Sequence, residues 1–131
     1  MLVHGANDYY WTMRSKILLV DDEEDICILL TGILEREGFH TSYALNLKDA
    51  KGKLERPQQY AAVFIDLNLP DGIGSQLIPV IKKANSNTKV IIISAYDRGL
   101  AKATGEGADY AIKKPFSRNI VLSALAELQI G

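Results

Sequence analysis

The chain has 131 residues, of which 47% are hydrophobic and 24% are charged. This length fits one domain, and the composition excludes a disordered tail, a collagen-like fibre and a disulfide-linked miniprotein. The 15 basic and 16 acidic residues give a net charge of −1, which does not favour binding to nucleic acid or to an anionic membrane. A single cysteine, Cys27, excludes an intramolecular disulfide, and no signal sequence is recognisable, so we expect a cytoplasmic protein.

The first residues of the chain differ from the rest. Tyr9, Tyr10 and Trp11 are adjacent in a stretch that has neither helical nor strand periodicity. We predict that residues 1–13 form a poorly ordered N-terminal extension and that residues 14–131 form one domain. The alternative is that the aromatic segment is an arm that docks on a partner or on a second copy of the chain.

Beyond this extension, short apolar runs alternate with segments whose apolar residues recur at helical spacing. The predicted strands are residues 17–20, 39–44, 61–65, 90–93 and 110–112. The predicted helices are residues 24–37, 48–54, 75–84, 98–106 and 121–128, with a turn at 70–72. Strands that alternate with helices predict the α/β class: a doubly wound, five-stranded parallel sheet with helices on both faces.

Polar residues follow four of the predicted strands, at the edge where ligands bind in such sheets. They are Asp21, Asp22 and Glu23 after the first strand, Asp66 after the third, Ser94 after the fourth, and Lys113 and Lys114 after the fifth. Clustered carboxylates repel one another unless a cation binds among them, and hard oxygen ligands suit Mg²⁺. A lysine and a hydroxyl would hold an anion against that cation, so the pattern predicts a phosphoryl-binding site with Mg²⁺ as its cofactor.

Each of these residues also has a purely structural interpretation. Asp21 and Asp22 are favoured capping residues for the helix that follows, and Asp66 could cap a short turn. Ser94 and Lys114 are residue types that are common in exposed loops. Their joint placement at four strand ends favours the shared pocket, because independent caps need not converge.

Four segments resemble the signatures of a known family: ILLVDDE, which contains Asp22, VFIDLNLPDG, which contains Asp66, IIISA, which contains Ser94, and KPF, which begins at Lys114. In order and spacing they are similar to the receiver domain of two-component response regulators, over residues 16–128. The resemblance implies the flavodoxin-like strand order 2-1-3-4-5. It also implies that Asp66 accepts a phosphoryl group from a histidine of a sensor kinase or a histidine phosphotransferase.

The resemblance assigns a set of Mg²⁺ ligands. Asp22 would bind the ion directly, and Asp21 would act mainly through a bound water. Asp66 and the backbone carbonyl of Asn68 would be further ligands.

The resemblance also assigns the groups that hold the phosphoryl group. Ser94 would hydrogen-bond to it, and Lys114 would pair with its oxygens. Lys114 matches this role better than Lys113, because two successive side chains of a strand cannot both face the pocket.

The family is one of signalling switches rather than enzymes. The resemblance implies that the domain catalyses only its own phosphorylation and slow self-dephosphorylation, as a monomer or a weak homodimer. Its partner would be a downstream protein target or a fused output domain, with no direct binding to nucleic acid or to a membrane. No output domain follows Gly131, so we expect either a stand-alone receiver or, with a slight preference, part of a longer regulator.

Two features depart from the family pattern. The position three residues before Lys114 is commonly aromatic in the family but is Ala111 here, while Tyr110 should point to the opposite face of the strand. The segment between Ser94 and Lys114 is also slightly short. We therefore expect phosphorylation to be retained and its conformational relay to differ, and we hypothesise that Tyr96 shields the phosphoryl group from water.

Two other functions compete with this prediction. A degenerate receiver would act as a phosphorylation-independent protein-binding module, but it would lack an acidic residue of the pocket, and none is missing here. A hydrolase with a nucleophilic aspartate would need a second aspartate two residues after Asp66, where the chain has Asn68.

Overall fold

The computed structural model describes residues 15–56 and 60–131. In chain order its elements are β1 (Lys16–Val20), α1 (Glu24–Arg36), β2 (His40–Ala44), α2 (Leu47–Leu54), β3 (Tyr60–Asp66), β4 (Asn68–Leu69), β5 (Gly72–Ile73), α3 (Leu77–Ala84), β6 (Lys89–Ser94), α4 (Asp97–Gly105), β7 (Tyr110–Lys113) and α5 (Arg118–Glu127). A short 3₁₀ turn, Gly74–Gln76, leads into α3. The predicted N-terminal extension, residues 1–13, lies outside the described residues.

Five strands form one parallel sheet in the order β2-β1-β3-β6-β7. This order confirms the predicted fold class and the predicted order of the five main strands. The central strands β1, β3 and β6 are apolar on both faces because helices cover both sides of the sheet. The edge strand β2 is more polar, with only Ala44 buried among its five residues.

Successive residues of the central strands point into two separate apolar clusters, as the period of a β-strand requires. Leu18 and Val20 pack with residues of α2, α3 and α4 on one side of the sheet. Ile17 and Leu19 pack with residues of α1 and α5 on the other side. The five helices described here therefore pack on both faces of the sheet. Among the described residues, no helix is both long and apolar enough to cross a lipid bilayer.

The segment after β3 is more structured than the predicted turn. It forms a two-stranded antiparallel hairpin, β4 with β5. Gly72 adopts a φ of +151°, and a β-carbon there would lie 2.6 Å from the Leu47 side chain, so the hairpin requires glycine at this position. The Asp71 carboxylate accepts hydrogen bonds from the backbone N–H groups of Leu47 and Lys48, which fastens the hairpin to the first turn of α2.

Candidate functional site

The register of the sheet brings the predicted site residues to one edge. Val20 pairs with Ile65, so the next residues along the two strands, Asp21 and Asp66, leave β1 and β3 side by side. Ser94 ends β6 and pairs with Lys113 of β7, and the backbone N–H of Lys114 donates to the Ser94 carbonyl at 2.8 Å.

The ammonium group of Lys114 lies at the centre of this edge. Its Nζ is 2.9 Å from Asp21 Oδ2, 2.8 Å from Glu23 Oε1 and 3.0 Å from Asp66 Oδ2. The Lys114 side chain is 13% exposed, so little solvent screens its contacts with the buried Asp21 and Asp66. Lys113 lies outside the pocket, where its exposed Nζ is 3.0 Å from Asp97 Oδ1. The alternation of side chains along the end of β7 thus directs the second lysine of the pair into the carboxylates.

The carboxylates make local hydrogen bonds that fix their orientation. Asp21 Oδ1 accepts the backbone N–H of Glu23 at 2.9 Å, and Asp66 Oδ1 accepts the backbone N–H of Asn68 at 3.1 Å. The second oxygen of each carboxylate, Oδ2, lies within 3.0 Å of Lys114 Nζ. The capping residue of α1 is Glu23, which makes no side-chain capping bond, so the capping interpretation of Asp21 and Asp22 does not describe this helix.

Four carboxylates cluster at this edge of the sheet. The carboxylate oxygens of Asp21, Asp22, Glu23 and Asp66 lie within 4.8 Å of one another. Asp21 and Asp66 are buried, whereas Asp22 and Glu23 are exposed at the mouth of the pocket. Asp21 Oδ2 is buried without a well-directed hydrogen bond, although Lys114 Nζ lies 2.9 Å away. The cluster thus offers only oxygen ligands, and one of them, Asp21 Oδ2, lacks a hydrogen bond. Such a set of ligands fits a hard divalent cation such as Mg²⁺.

The pKa values of the two buried charges reflect this imbalance. Burial raises the pKa of Asp21 to about 6, and the neighbouring charge of Asp66 adds to the increase, although the Glu23 N–H and Lys114 oppose it. Burial alone would lower the pKa of Lys114, but its hydrogen bonds to Glu23, Asp21 and Asp66 outweigh burial and raise the pKa. At neutral pH the lysine is therefore cationic.

Ser94 and Asn68 lie next to these charges. The Ser94 side chain is buried, and its Oγ accepts the backbone N–H of Tyr96 at 3.1 Å. The Tyr96 side chain is largely exposed at the start of α4, so its shielding role stays a prediction. Asn68 is an exposed residue of β4, and the geometry of its carbonyl toward a metal likewise stays a prediction.

Gly74 holds the segment after Asp66 close to the end of β3. A β-carbon at Gly74 would lie 2.2 Å from the Asp66 carbonyl oxygen, which leaves no room for a side chain. The backbone N–H of Gly74 also donates to the Leu67 carbonyl at 2.8 Å. This close approach fixes the backbone that carries Asp66.

The side chains of β7 alternate between the two faces of the sheet, as predicted for Tyr110 and Ala111. Tyr110 packs with the apolar cluster under α1 and α5, and Ile112 is buried in the same cluster. Ala111, between them, therefore points to the opposite side of the sheet. Position 111 therefore has no aromatic side chain that could move together with Ser94. The expected difference in the conformational relay of phosphorylation stays a prediction.

Glu23 is one of the predicted strand-end residues, but neither the Mg²⁺ ligands nor the phosphoryl-binding groups implied by the resemblance include it. It lies 2.8 Å from Lys114 although 91 positions separate the two residues in the chain. The only available signal is the run of five acidic residues, 21–25, in which Glu23 is the third. An exposed glutamate just before a helix is more often explained by the helix dipole than by a pocket.

The geometry agrees with comparisons to known proteins. The profile of the response regulator receiver domain matches residues 17–126. The chain belongs to this family. Transcriptional regulatory protein SrrA of Staphylococcus aureus is 37% identical to this receiver domain over 120 residues. That match covers 89% of this chain and 49% of SrrA, so the chain spans about half the length of the curated relatives it matches.

Solved structures of receiver domains share the fold. A CheY-like response regulator receiver domain protein from Methanospirillum hungatei has a TM-score of 0.80 at 28% identity, with 88% of this chain and 94% of that chain covered. TrrA from Thermotoga maritima, solved in complex with Mg²⁺ and BeF, has a TM-score of 0.77 at 28% identity, with 87% of this chain and 98% of that chain covered.

Proposed function

We propose that this receiver domain accepts a phosphoryl group on Asp66 in the presence of Mg²⁺ and thereby switches a protein-interaction surface. The observation that carries the proposal is the placement of Asp66 Oδ2, buried and 3.0 Å from the cationic Nζ of Lys114, within a surplus of carboxylates. An aspartate held in this way can act as a nucleophile toward phosphorus, because positioning and charge neutralisation supply most of the catalysis.

In the proposed transfer, a carboxylate oxygen of Asp66 attacks the phosphorus of a phosphohistidine. A new O–P bond forms as the P–N bond breaks, and the imidazole nitrogen leaves with the bonding electron pair. Lys114 neutralises charge on the phosphoryl oxygens, and the hydroxyl of Ser94 donates a hydrogen bond to one of them. Water later attacks the phosphorus of the acyl phosphate and restores the Asp66 carboxylate.

The proposed cofactor is Mg²⁺, held by Asp22, by Asp66, by the Asn68 carbonyl and, mainly through water, by Asp21. When bound, the ion would supply positive charge against the oxygens of the transferring phosphoryl group. Lys114 alone cannot balance the four carboxylates, which supports a divalent cation in the cluster.

The proposed donor is a sensor histidine kinase or a histidine phosphotransferase. A cleft lined in part by Leu29 and Phe116 adjoins Glu23 and Lys114 and offers a protein donor an apolar approach to the pocket. SrrA is a transcriptional regulatory protein about twice as long as the matched region, so we propose that the signal passes to an output domain or to a separate protein. The cytoplasmic location stays a prediction.

The test is the intact mass of the protein after incubation with acetyl phosphate and Mg²⁺. We expect the wild type to gain one phosphoryl group and to lose it again once the donor is removed. The Asp66→Asn variant should gain none, because an amide oxygen is a poor nucleophile and cannot form the acyl phosphate. Removal of Mg²⁺ with a chelator should abolish the gain in the wild type.

Two outcomes would contradict the proposal. One is equal mass gain by the Asp66→Asn variant, which would place the reaction on another residue. The other is the absence of any gain in the wild type together with the absence of Mg²⁺ binding, which would favour the phosphorylation-independent binding module.

A further inference from the structure

Three carboxylate oxygens lie within 3.0 Å of Lys114 Nζ, those of Asp21, Glu23 and Asp66. Nζ donates hydrogen bonds to Glu23 Oε1 and to Asp66 Oδ2, whereas Asp21 Oδ2 accepts none. A phosphoryl group on Asp66 would replace the Asp66 carboxylate and bring further anionic oxygens to the same ammonium group. These oxygens would compete with the remaining hydrogen-bonded carboxylate, that of Glu23, for Lys114.

The three partners of Lys114 differ greatly in exposure. The side chains of Asp21 and Asp66 are 2% and 6% exposed, whereas the Glu23 side chain is 61% exposed. Water can solvate the Glu23 carboxylate at once when it leaves Lys114, but it cannot reach a buried aspartate. Exposed ion pairs are also weak, while an unpaired buried charge is costly.

We propose that Glu23 is a positioning residue that acts as a displaceable counter-anion: it holds Lys114 in the unphosphorylated protein and is exchanged for a phosphoryl oxygen on activation. This inference rests on the proposed function of the site. Glu23 thus opposes activation in two ways, because it competes for Lys114 and adds a negative charge beside the incoming phosphoryl anion. Its backbone caps α1 through the Glu23 carbonyl, which accepts the N–H of Ile26 at 2.9 Å, and no side-chain substitution removes that contact.

The test measures binding of beryllofluoride, a phosphoryl mimic, by ¹⁹F NMR at saturating Mg²⁺. The Glu23→Gln variant should bind beryllofluoride about two- to fivefold more tightly than the wild type, the range expected from loss of one exposed ion pair. The Glu23→Asp variant keeps the charge one methylene farther from Nζ and should fall between the two. Neither variant should bind Mg²⁺ alone more tightly than the wild type does. Glu23→Asp keeps the number of carboxylates in the cluster, and Glu23→Gln lowers it by one.

The matched control is Glu24→Gln. Glu24 is the adjacent acidic residue, and its carboxylate accepts the Tyr43 hydroxyl at 3.0 Å instead of contacting Lys114. This variant removes the same charge one residue away and should bind beryllofluoride as the wild type does.

Three results would overturn the inference. They are unchanged or weaker beryllofluoride binding by Glu23→Gln, an equal gain by Glu24→Gln, and a matching gain in affinity for Mg²⁺ alone. Each of them leaves the proposed function intact as long as the wild type binds beryllofluoride. A wild type that binds none at saturating Mg²⁺ would contradict the proposed function itself, and the inference with it.

Discussion

The two ends of the parallel sheet each hold a buried or half-buried ionic cluster, and the two clusters are built on opposite principles. At the amino end, Lys82 Nζ lies 2.8 Å from Asp109 Oδ2 and donates to the Thr88 carbonyl at 2.7 Å. The same Asp109 oxygen accepts the backbone N–H of Val90 at 2.8 Å. One carboxylate there meets one ammonium. At the carboxyl end, Lys114 contacts the carboxylates of Asp21, Glu23 and Asp66, and a fourth carboxylate, that of Asp22, belongs to the same cluster.

The pKa values of the two aspartates differ in direction for this reason. Burial alone would raise the pKa of Asp109, but the hydrogen bonds from Lys82 and Val90 outweigh it and lower the pKa. Burial raises the pKa of Asp21 to about 6, and its partners do not compensate. A balanced cluster stabilises the fold, whereas an unbalanced one costs stability and leaves charge available for a ligand. Charge imbalance, more than position at a strand end, therefore distinguishes the edge that carries the candidate site.

The largest expected effect comes from removing the unbalanced charge. Asp21→Asn should stabilise the metal-free protein by about 2–3 kcal/mol at pH 7 in urea or thermal unfolding. The folded pKa of about 6 exceeds the ordinary value of 3.8, so the folded state holds this proton more tightly than the unfolded state does. The contribution of Asp21 to the stability of the wild type should therefore fall as the pH rises from about 4 to about 6. That part of the slope should be missing in the variant, and equal pH profiles would contradict this account.

The same substitution at the balanced cluster should have the opposite sign. Asp109→Asn should destabilise the protein by about 1–2 kcal/mol at pH 7, because the Lys82 ammonium loses its counter-ion and the Val90 N–H loses a charged acceptor. Because the pKa of Asp109 is lower in the folded state than in the unfolded state, its carboxylate stabilises the protein at pH values above the unfolded pKa. This stabilisation is lost as the pH falls through the folded pKa. The difference between variant and wild type should accordingly shrink in acid. A stabilised Asp109→Asn protein would show that the two clusters do not differ as we describe.

Mg²⁺ should act on one end of the sheet only. At ten times its dissociation constant, a ligand that binds only the folded state adds about 1.4 kcal/mol. We expect the Tm of the wild type and of Asp109→Asn to rise with the logarithm of the Mg²⁺ concentration above the dissociation constant, and the Tm of Asp21→Asn to rise less. If the rise in Tm disappears in Asp109→Asn, or is unchanged in Asp21→Asn, Mg²⁺ does not bind at the proposed cluster.

The main strands and the fold were predictable because each central strand is an unbroken apolar run. Val90–Ile93 shows this most clearly: an uninterrupted branched apolar segment of this length belongs to a strand covered on both faces. The β4–β5 hairpin was not predicted. Two-residue strands carry no periodicity, and this hairpin depends on the tertiary contact between Asp71 and the start of α2.

The site residues were predictable from their places after the strands, since parallel strands all end at one edge. The grouping of Asp21, Asp66 and Lys114 follows from that topology and from the family resemblance. The contact of Glu23 with Lys114 was not predictable. It depends on the lysine side chain extending from the end of β7 across the pocket to the residues that follow β1. The surplus of charge is likewise visible only once the distances are known.

The measurement that tests the central claim most directly is the position of the acyl phosphate. Borohydride reduces an acyl phosphate to an alcohol, which converts a phosphorylated aspartate to homoserine with loss of phosphate. After treatment with acetyl phosphate and Mg²⁺, peptide mass spectrometry should find homoserine at Asp66 and nowhere else in the cluster. Homoserine at Asp21 or Asp22, or a reduced side chain at Glu23, would contradict the account.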